Sequence, residues 1–288
     1  DRYASRGLGD VYKRQFVVPS EGGTARQITF GEFDDVSGGI SWLNDSESIV
    51  FSSYQKEDAE YARGQSNLYS VNINNLNLIE LTSRKGTESS PTVSPDGSKI
   101  AFVGSIWTKN FYHDRKMYVM DIDGSNLRCI TESLDQTPSP GVWGKNSSGV
   151  YFNVREFGQS NVYHADIKGK VKKITNGNHM LTMNDLVGSD AVATWTDPSN
   201  PSDIISFSID KPNKINRLTD VNKDIFYNVE FGEVEEITYK SVDEKYVQGW
   251  IVKPPNFDSN KKYPLVLRIH GGPHSMYHVG FNYNCLLY

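Results

Sequence analysis

One dipeptide sets the frame for the whole chain. Ile/Leu-Thr recurs at Ile28-Thr29, Leu81-Thr82, Ile130-Thr131, Ile174-Thr175 and Leu218-Thr219, at spacings of 53, 49, 44 and 44 residues. A period of this length, kept over most of 288 residues, restricts the chain to an array of like units, none able to bury its apolar face alone. Between the marks the same segments return in the same order. One apolar strand reads SIVFSS at 48–53, KIAFVGS at 99–105, GVYFNV at 149–154 and AVATWT at 191–196; the next reads NLYSVNI, KMYVMDI, NVYHADI and DIISFSI. β-Branched and aromatic residues dominate both, which suits a pleated, half-buried surface. Joining turns such as SPDGS at 94–98 supply a fixed φ at Pro95, a positive φ at Gly97 and a turn-forming carboxylate at Asp96.

Four strands per unit of about 45–50 residues is the pattern of a β-propeller blade. The expected fold is mainly β: a partial propeller over 16–219, with four full blades between residues 30 and 219 and part of a fifth in QFVVPSEGGTARQIT at 15–29. A propeller seldom closes with so few blades, so more are expected ahead of residue 16. The connections between second and third strands share one face, and the longest of them are YQKEDAEYARGQ at 54–65 and SIWTKNFYHDRK at 105–116. Loops of this length and polarity are common binding elements, which makes Trp107, Phe111 and Tyr112 substrate-face candidates; packing against a neighbouring domain explains them equally. Asp34 and Asp35, in GEFDDVSGG, are further candidates for holding a substrate amine, against the alternative of solvated or capping carboxylates.

Composition excludes several classes. Lys plus Arg number 30 and Asp plus Glu 35, for a net charge of −5, and no basic run tracks a phosphate backbone, so nucleic acid is not an expected partner. Apolar runs are strand-length, far short of the roughly 18 residues of a membrane span. The two cysteines, Cys129 and Cys285, give neither a disulfide framework nor a metal-ligand spacing. A reducing compartment, the cytoplasm, fits this usage, and the periplasm stays open. Residues 1–15, DRYASRGLGDVYKRQ, have no periodicity and no signal-peptide layout; they resemble translated adapter read-through, as does the final CLLY, and are expected to be foreign to the protein.

After Thr219 the repeat stops. Residues 220–231 read as a linker, and 232–288 as the N-terminal part of another domain, with EVEEITYKSVD at 233–243 and KYVQGWIVKP at 245–254 forming a hairpin. LVLRIHGG at 265–272 reads as a short, fully buried strand running into a tight turn. An apolar strand ending in His-Gly-Gly has the form of an oxyanion-hole loop, where glycines let a backbone N–H approach a developing alkoxide. His270 and His274 are four apart, but the Gly-Gly-Pro between them cannot form the helical turn that would aim both at one metal.

Blades, linker, hairpin and then YPLVLRIHGGPHSMYHVGFNYN together resemble the prolyl oligopeptidase family of serine peptidases, and most closely its acylaminoacyl-peptidase and dipeptidyl-aminopeptidase-like members. The resemblance covers residues 16 to about 284 and implies a propeller followed by the first strands of an α/β-hydrolase domain. It implies short peptide substrates, no cofactor, a Gly272 amide that faces the oxyanion, Gly271 and His270 holding that loop, and His274 near the mouth of the site. A homo-oligomer of the intact enzyme is compatible with it. The sequence holds no Gly-x-Ser-x-Gly, so the Ser/Asp/His triad is expected to be absent, the chain to be a truncated fragment, and the fragment to be inactive. The competing expectation is a non-catalytic, TolB-like propeller that binds protein partners.

Overall fold

The computed structural model describes residues 12–59, 61–62, 64–109, 114–272 and 274–283. Two short strands, β1 (Phe16–Val17) and β2 (Arg26–Gln27), pair antiparallel. Four sets of four strands come next. The first is β3 (Asp35–Trp42), β4 (Ser48–Ser53), β5 (Asn67–Asn72) and β6 (Leu78–Glu80); the second is β7 (Gly86–Val93), β8 (Lys99–Ile106), β9 (Lys116–Asp121) and β10 (Arg128–Cys129). The third is β11 (Val142–Trp143), β12 (Gly149–Glu156), β13 (Gln159–Asp166) and β14 (Val171–Lys173); the fourth is β15 (Met180–Val187), β16 (Asp190–Asp197), β17 (Asn200–Ser208) and β18 (Lys211–Arg217). The expected second and third strands therefore stand where the repeat placed them. Each of the first two sets is a separate four-stranded sheet in chain order, whereas β13 and β15 pair in parallel at Ser160↔Met180 and join the last two sets.

Strand alternation explains how the sheets stack. In β4, Ile49 and Phe51 face one cluster with Ile28, Tyr69 and Val71, while Val50 faces another with Leu68, Ile100, Phe102, Tyr118 and Met120. All six residues of β4 are buried, as a strand covered on both faces must be. First strands carry irregularities at Val36/Ile40, Ser89/Thr92 and Met183/Asp185, the extra residues that bend a strand and raise its twist. The turn at 94–98 has Gly97 at φ 73. Hydrogen bonds from the Ser94 hydroxyl and from the Ser98 amide and hydroxyl hold Asp96 down to about 2, which confirms it as a turn former.

The threonine marks have a common job. The Oγ1 atoms of Thr29, Thr82, Thr131, Thr175 and Thr219 accept the backbone N–H of Gln15, Leu68, Met117, Val162 and Ile204 at 2.8–2.9 Å. Four of these hydroxyls donate onward: Thr29 to Asp35, Thr82 to Glu88, Thr175 to Asn161 at 3.0 Å and Thr219 to Asp203 at 2.7 Å. Asp35 and Glu88 lie on β3 and β7, so the first two bonds tie the end of one sheet to the start of the next. Each such bond contributes about 1 kcal/mol net, more where the acceptor is charged. The repeat is therefore written in a polar staple as well as in apolar strands. Gln15, inside the stretch expected to be foreign, makes the same amide bond as its counterparts.

The chain divides into two compact units: residues 1–152 with 164–172, and residues 153–163 with 173–288. The expected linker lies inside the second unit and contains α1 (Lys223–Phe226), the one α-helix among the described residues. Beyond it β19 (Val234–Lys240) and β20 (Tyr246–Val252) form the expected hairpin, in register at Ile237↔Gly249.

One expectation is corrected here. Residues 264–271 are not a strand, and Leu265 is 88% exposed, Leu267 77% and Ile269 79%. A strand buried on both faces needs a neighbour on each edge and a cover above and below; among the described residues none pairs with this one, so its side chains stay in solvent.

Candidate functional site

The His-Gly-Gly segment lies outside any helix or strand and ends in a bend at Gly272, whose φ is +151°. A Cβ there would stand 2.9 Å from the His274 nitrogen and 3.1 Å from the Ser275 Cβ, so the bend itself requires glycine. A Cβ at Gly271 would meet nothing within 4 Å. The His270 imidazole Nδ1 lies 3.1 Å from the Gly271 carbonyl, and its ring meets Tyr277 edge-on at 5.8 Å. In the tautomer that protonates Nδ1, the ring donates to that carbonyl. Among the described residues the amide of Gly272 makes no hydrogen bond, which leaves it available as a donor. His274 is exposed and lies beside the same bend.

The residues just after the motif are held more firmly. Val279 is 3% exposed, and its N–H donates to the Gly158 carbonyl at 2.9 Å. The Phe281 N–H donates to Thr196 Oγ1 at 3.1 Å. Phe226 and Phe231 pack with Phe281 and Tyr283 at centroid distances of 5.3–5.8 Å, in the offset and edge-on arrangements aromatic rings favour. Burial pushes His278 below the ordinary imidazole range, and the Arg155 charge adds to the effect. The Val279 bond lands on the two-residue turn between β12 and β13, and the Phe281 bond on β16 next to its last residue.

The other candidates lie in the first unit. Asp35 is 3% exposed and takes the Thr29 hydroxyl; burial pushes its carboxyl up, against the pull of the Thr29 hydrogen bond. It belongs to the staple and not to an open surface, a correction to its place among the amine-holding candidates. Asp34 is exposed and accepts the Lys13 N–H at 2.8 Å. Trp107 is 45% exposed, with its backbone N–H on the Lys85 carbonyl. Phe111 and Tyr112 lie outside the described residues. Beside that connection Arg115 donates to the Ser89 hydroxyl, and burial lowers the guanidinium's hold on its proton. No group of three or more His, Cys, Asp or Glu that could hold a metal occurs among the described residues, and no helix there is long and apolar enough to cross a membrane.

A model of the acylaminoacyl-peptidase N-terminal β-propeller domain matches residues 1–201. The chain is 27% identical to an uncharacterized peptidase, YuxL, of Bacillus subtilis, over 91% of this chain and 54% of that protein. It is 26% identical to dipeptidyl-peptidase 5 of Porphyromonas gingivalis, over 81% of this chain and 34% of that protein. It therefore spans about half or less of the length of these relatives. Among solved structures, Pyrococcus horikoshii acylaminoacyl peptidase superposes with a TM-score of 0.61 at 20% identity, covering 92% of this chain and 50% of that one. TolB from Acinetobacter baumannii gives 0.54 at 15% identity, over 82% and 56%. At these identities the structural likeness establishes the fold, a β-propeller, and no more.

Proposed function

The chain belongs to the acylaminoacyl-peptidase N-terminal β-propeller family, and from that premise we propose that it is the propeller and the start of the hydrolase domain of a serine peptidase acting on short peptides. The observation that carries the reading is the Gly272 bend, whose N–H makes no hydrogen bond among the described residues and follows an apolar run, in a chain whose curated relatives are named peptidases. In the intact enzyme a Ser attacks the scissile carbonyl, a His takes its proton and an Asp orients that His. The Gly272 N–H stabilises the oxyanion, with His270 and Gly271 holding the loop. The propeller admits short, unfolded peptides and excludes folded protein. No cofactor takes part.

None of the 288 residues forms a Gly-x-Ser-x-Gly elbow, so this chain alone is expected not to turn over a peptide p-nitroanilide and not to react with a fluorophosphonate. Turnover by the purified chain would overturn the assignment of the triad to sequence outside it. In the intact enzyme, Gly272→Ala keeps the N–H but sets a Cβ 2.9 Å from the His274 nitrogen, so it is expected to displace the donor and lower kcat by up to roughly 10²- to 10³-fold, the usual loss of one oxyanion donor; an unchanged kcat would remove Gly272 from the mechanism. The second reading is a non-catalytic propeller that binds protein partners, to which the TolB likeness contributes the fold alone. The hairpin and the His-Gly-Gly segment favour the peptidase.

A further inference from the structure

The turn between β12 and β13 is built against the usual turn chemistry. Its two residues, Phe157 and Gly158, have φ of +48° and +72°, the double positive that normally selects Asn-Gly or Asp-Gly. A bulky side chain at the first position costs roughly 1–2 kcal/mol, and Phe157 is 71% exposed, so its ring does not repay that cost by burial. What the turn does have is neighbours from far along the chain. The Gly158 N–H donates to Met276 Sδ at 3.4 Å, the Gly158 carbonyl accepts from Val279 at 2.9 Å, and the Phe157 carbonyl accepts from Gln248 Nε2 at 3.0 Å. A Cβ on Gly158 would lie 2.3 and 2.5 Å from the Trp250 ring and 3.3 Å from the Tyr277 carbonyl. Gly188, in the hairpin turn between β15 and β16 of the same unit, has a similar φ of +66° and nothing within 4 Å. Positive φ alone therefore explains Gly188, while Gly158 is also required by contact.

The geometry points to a positioning role: the Phe157-Gly158 turn of the propeller fixes the His270–Gly272 loop. Residues 264–272 make no backbone–backbone hydrogen bonds among the described residues; on the N-terminal side Tyr263 is tied only to Phe257 and Asp258, and the contact that reaches His270 comes from Tyr277 on the C-terminal side. Gly158 anchors Met276 and Val279. Tyr277, between them, presents its ring to His270. That the loop so held is an oxyanion loop rests on the peptidase reading; that the turn holds it does not.

Gly158→Ala and Gly188→Ala in the 288-residue chain separate this role from ordinary turn strain, since both carry the same backbone penalty and only the first meets Trp250. Two quantities are read by NMR: the His270 ring-proton shifts, displaced by the edge-on Tyr277, and the exchange rate of the Val279 amide. Gly158→Ala is expected to return the His270 shifts to those of a free imidazole and to speed Val279 exchange by about tenfold or more, while Gly188→Ala moves neither. Equal behaviour of the two variants, or no change in Gly158→Ala, overturns the proposal. If Gly158→Ala does not fold, Met276→Ala, at a 39% exposed position, is expected to move the same two readouts, and its silence overturns the proposal equally. Neither readout requires turnover, so a failure of the peptidase reading would leave both in place.

Discussion

β8 and residues 265–271 are apolar runs of similar length, KIAFVGSI and LVLRIHG, with opposite fates. Phe102 in β8 is fully buried, while Leu265 is 88% exposed. β8 has β7 on one edge and β9 on the other, both supplied within a few tens of residues, in register at Val103↔Ser89 and Phe102↔Tyr118. The later run has no pairing partner among the described residues. Apolar content thus settles that a segment is fit to be buried. Whether it is buried depends on neighbours, and a repeat array carries its neighbours close by in sequence, whereas a parallel sheet gathers them over crossovers.

The widest separation between the two regions should come from core truncation. Phe102→Ala removes a fully buried ring stacked on Tyr118 at 5.5 Å and is expected to cost about 3–5 kcal/mol in urea unfolding. Leu267→Ala is expected to stay within about 0.5 kcal/mol. Comparable costs at the two sites would erase the distinction.

A smaller effect sharpens it. Thr82→Val leaves the Leu68 amide without its acceptor and Glu88, fully buried, without a hydroxyl donor; the loss should be about 1–3 kcal/mol. Thr238→Val, on the exposed face of the hairpin, should be near neutral by the same measurement. A neutral Thr82→Val would mean that the staple does not hold the sheets.

The smallest expected effect is a pH dependence. Burial pushes His179 below its ordinary 6.5, with Asp197 opposing and Lys173 assisting. The unfolded chain therefore takes up this proton first as pH falls. The contribution of neutral His179 is complete above about pH 6.5 and declines below it, down to the depressed folded value. His164 and His278, also lowered by burial, act in the same direction. Asp35, raised from 3.8, acts with the opposite sign at lower pH. Urea midpoints between about pH 7.5 and about pH 5.5 should fall, and His179→Gln should flatten part of the slope; an equal slope in the variant would place the effect elsewhere.

The strands and turns of the repeat were legible because each is specified by its own few residues: alternation in SIVFSS, Pro and Gly in SPDGS. The Ile/Leu-Thr mark was visible as a register, but its partners were not. Asp35 and Glu88 each lie six residues beyond their threonines, but Asp203 lies 16 before Thr219, so the spacing of the first two pairs does not carry through the array. Asp35 looked like a surface candidate because an acidic pair in a loop carries no sign of which member turns inward. Gly158 was hidden for the same reason, since its constraint comes from Trp250 and Met276, about a hundred residues away. The His-Gly-Gly motif could be read, but the strand ahead of it could not, because pairing belongs to the neighbours and not to the run itself.

Native-state hydrogen exchange, residue by residue, compares the two regions directly. The amides of Ile100–Val103 should exchange only through global unfolding, and those of Leu265–Ile269 at nearly the rate of an unstructured peptide. Protection of Leu265–Ile269 to the level of β8 would show that the run is paired and buried, and would contradict the claim that it lacks the neighbours the repeat array supplies for itself.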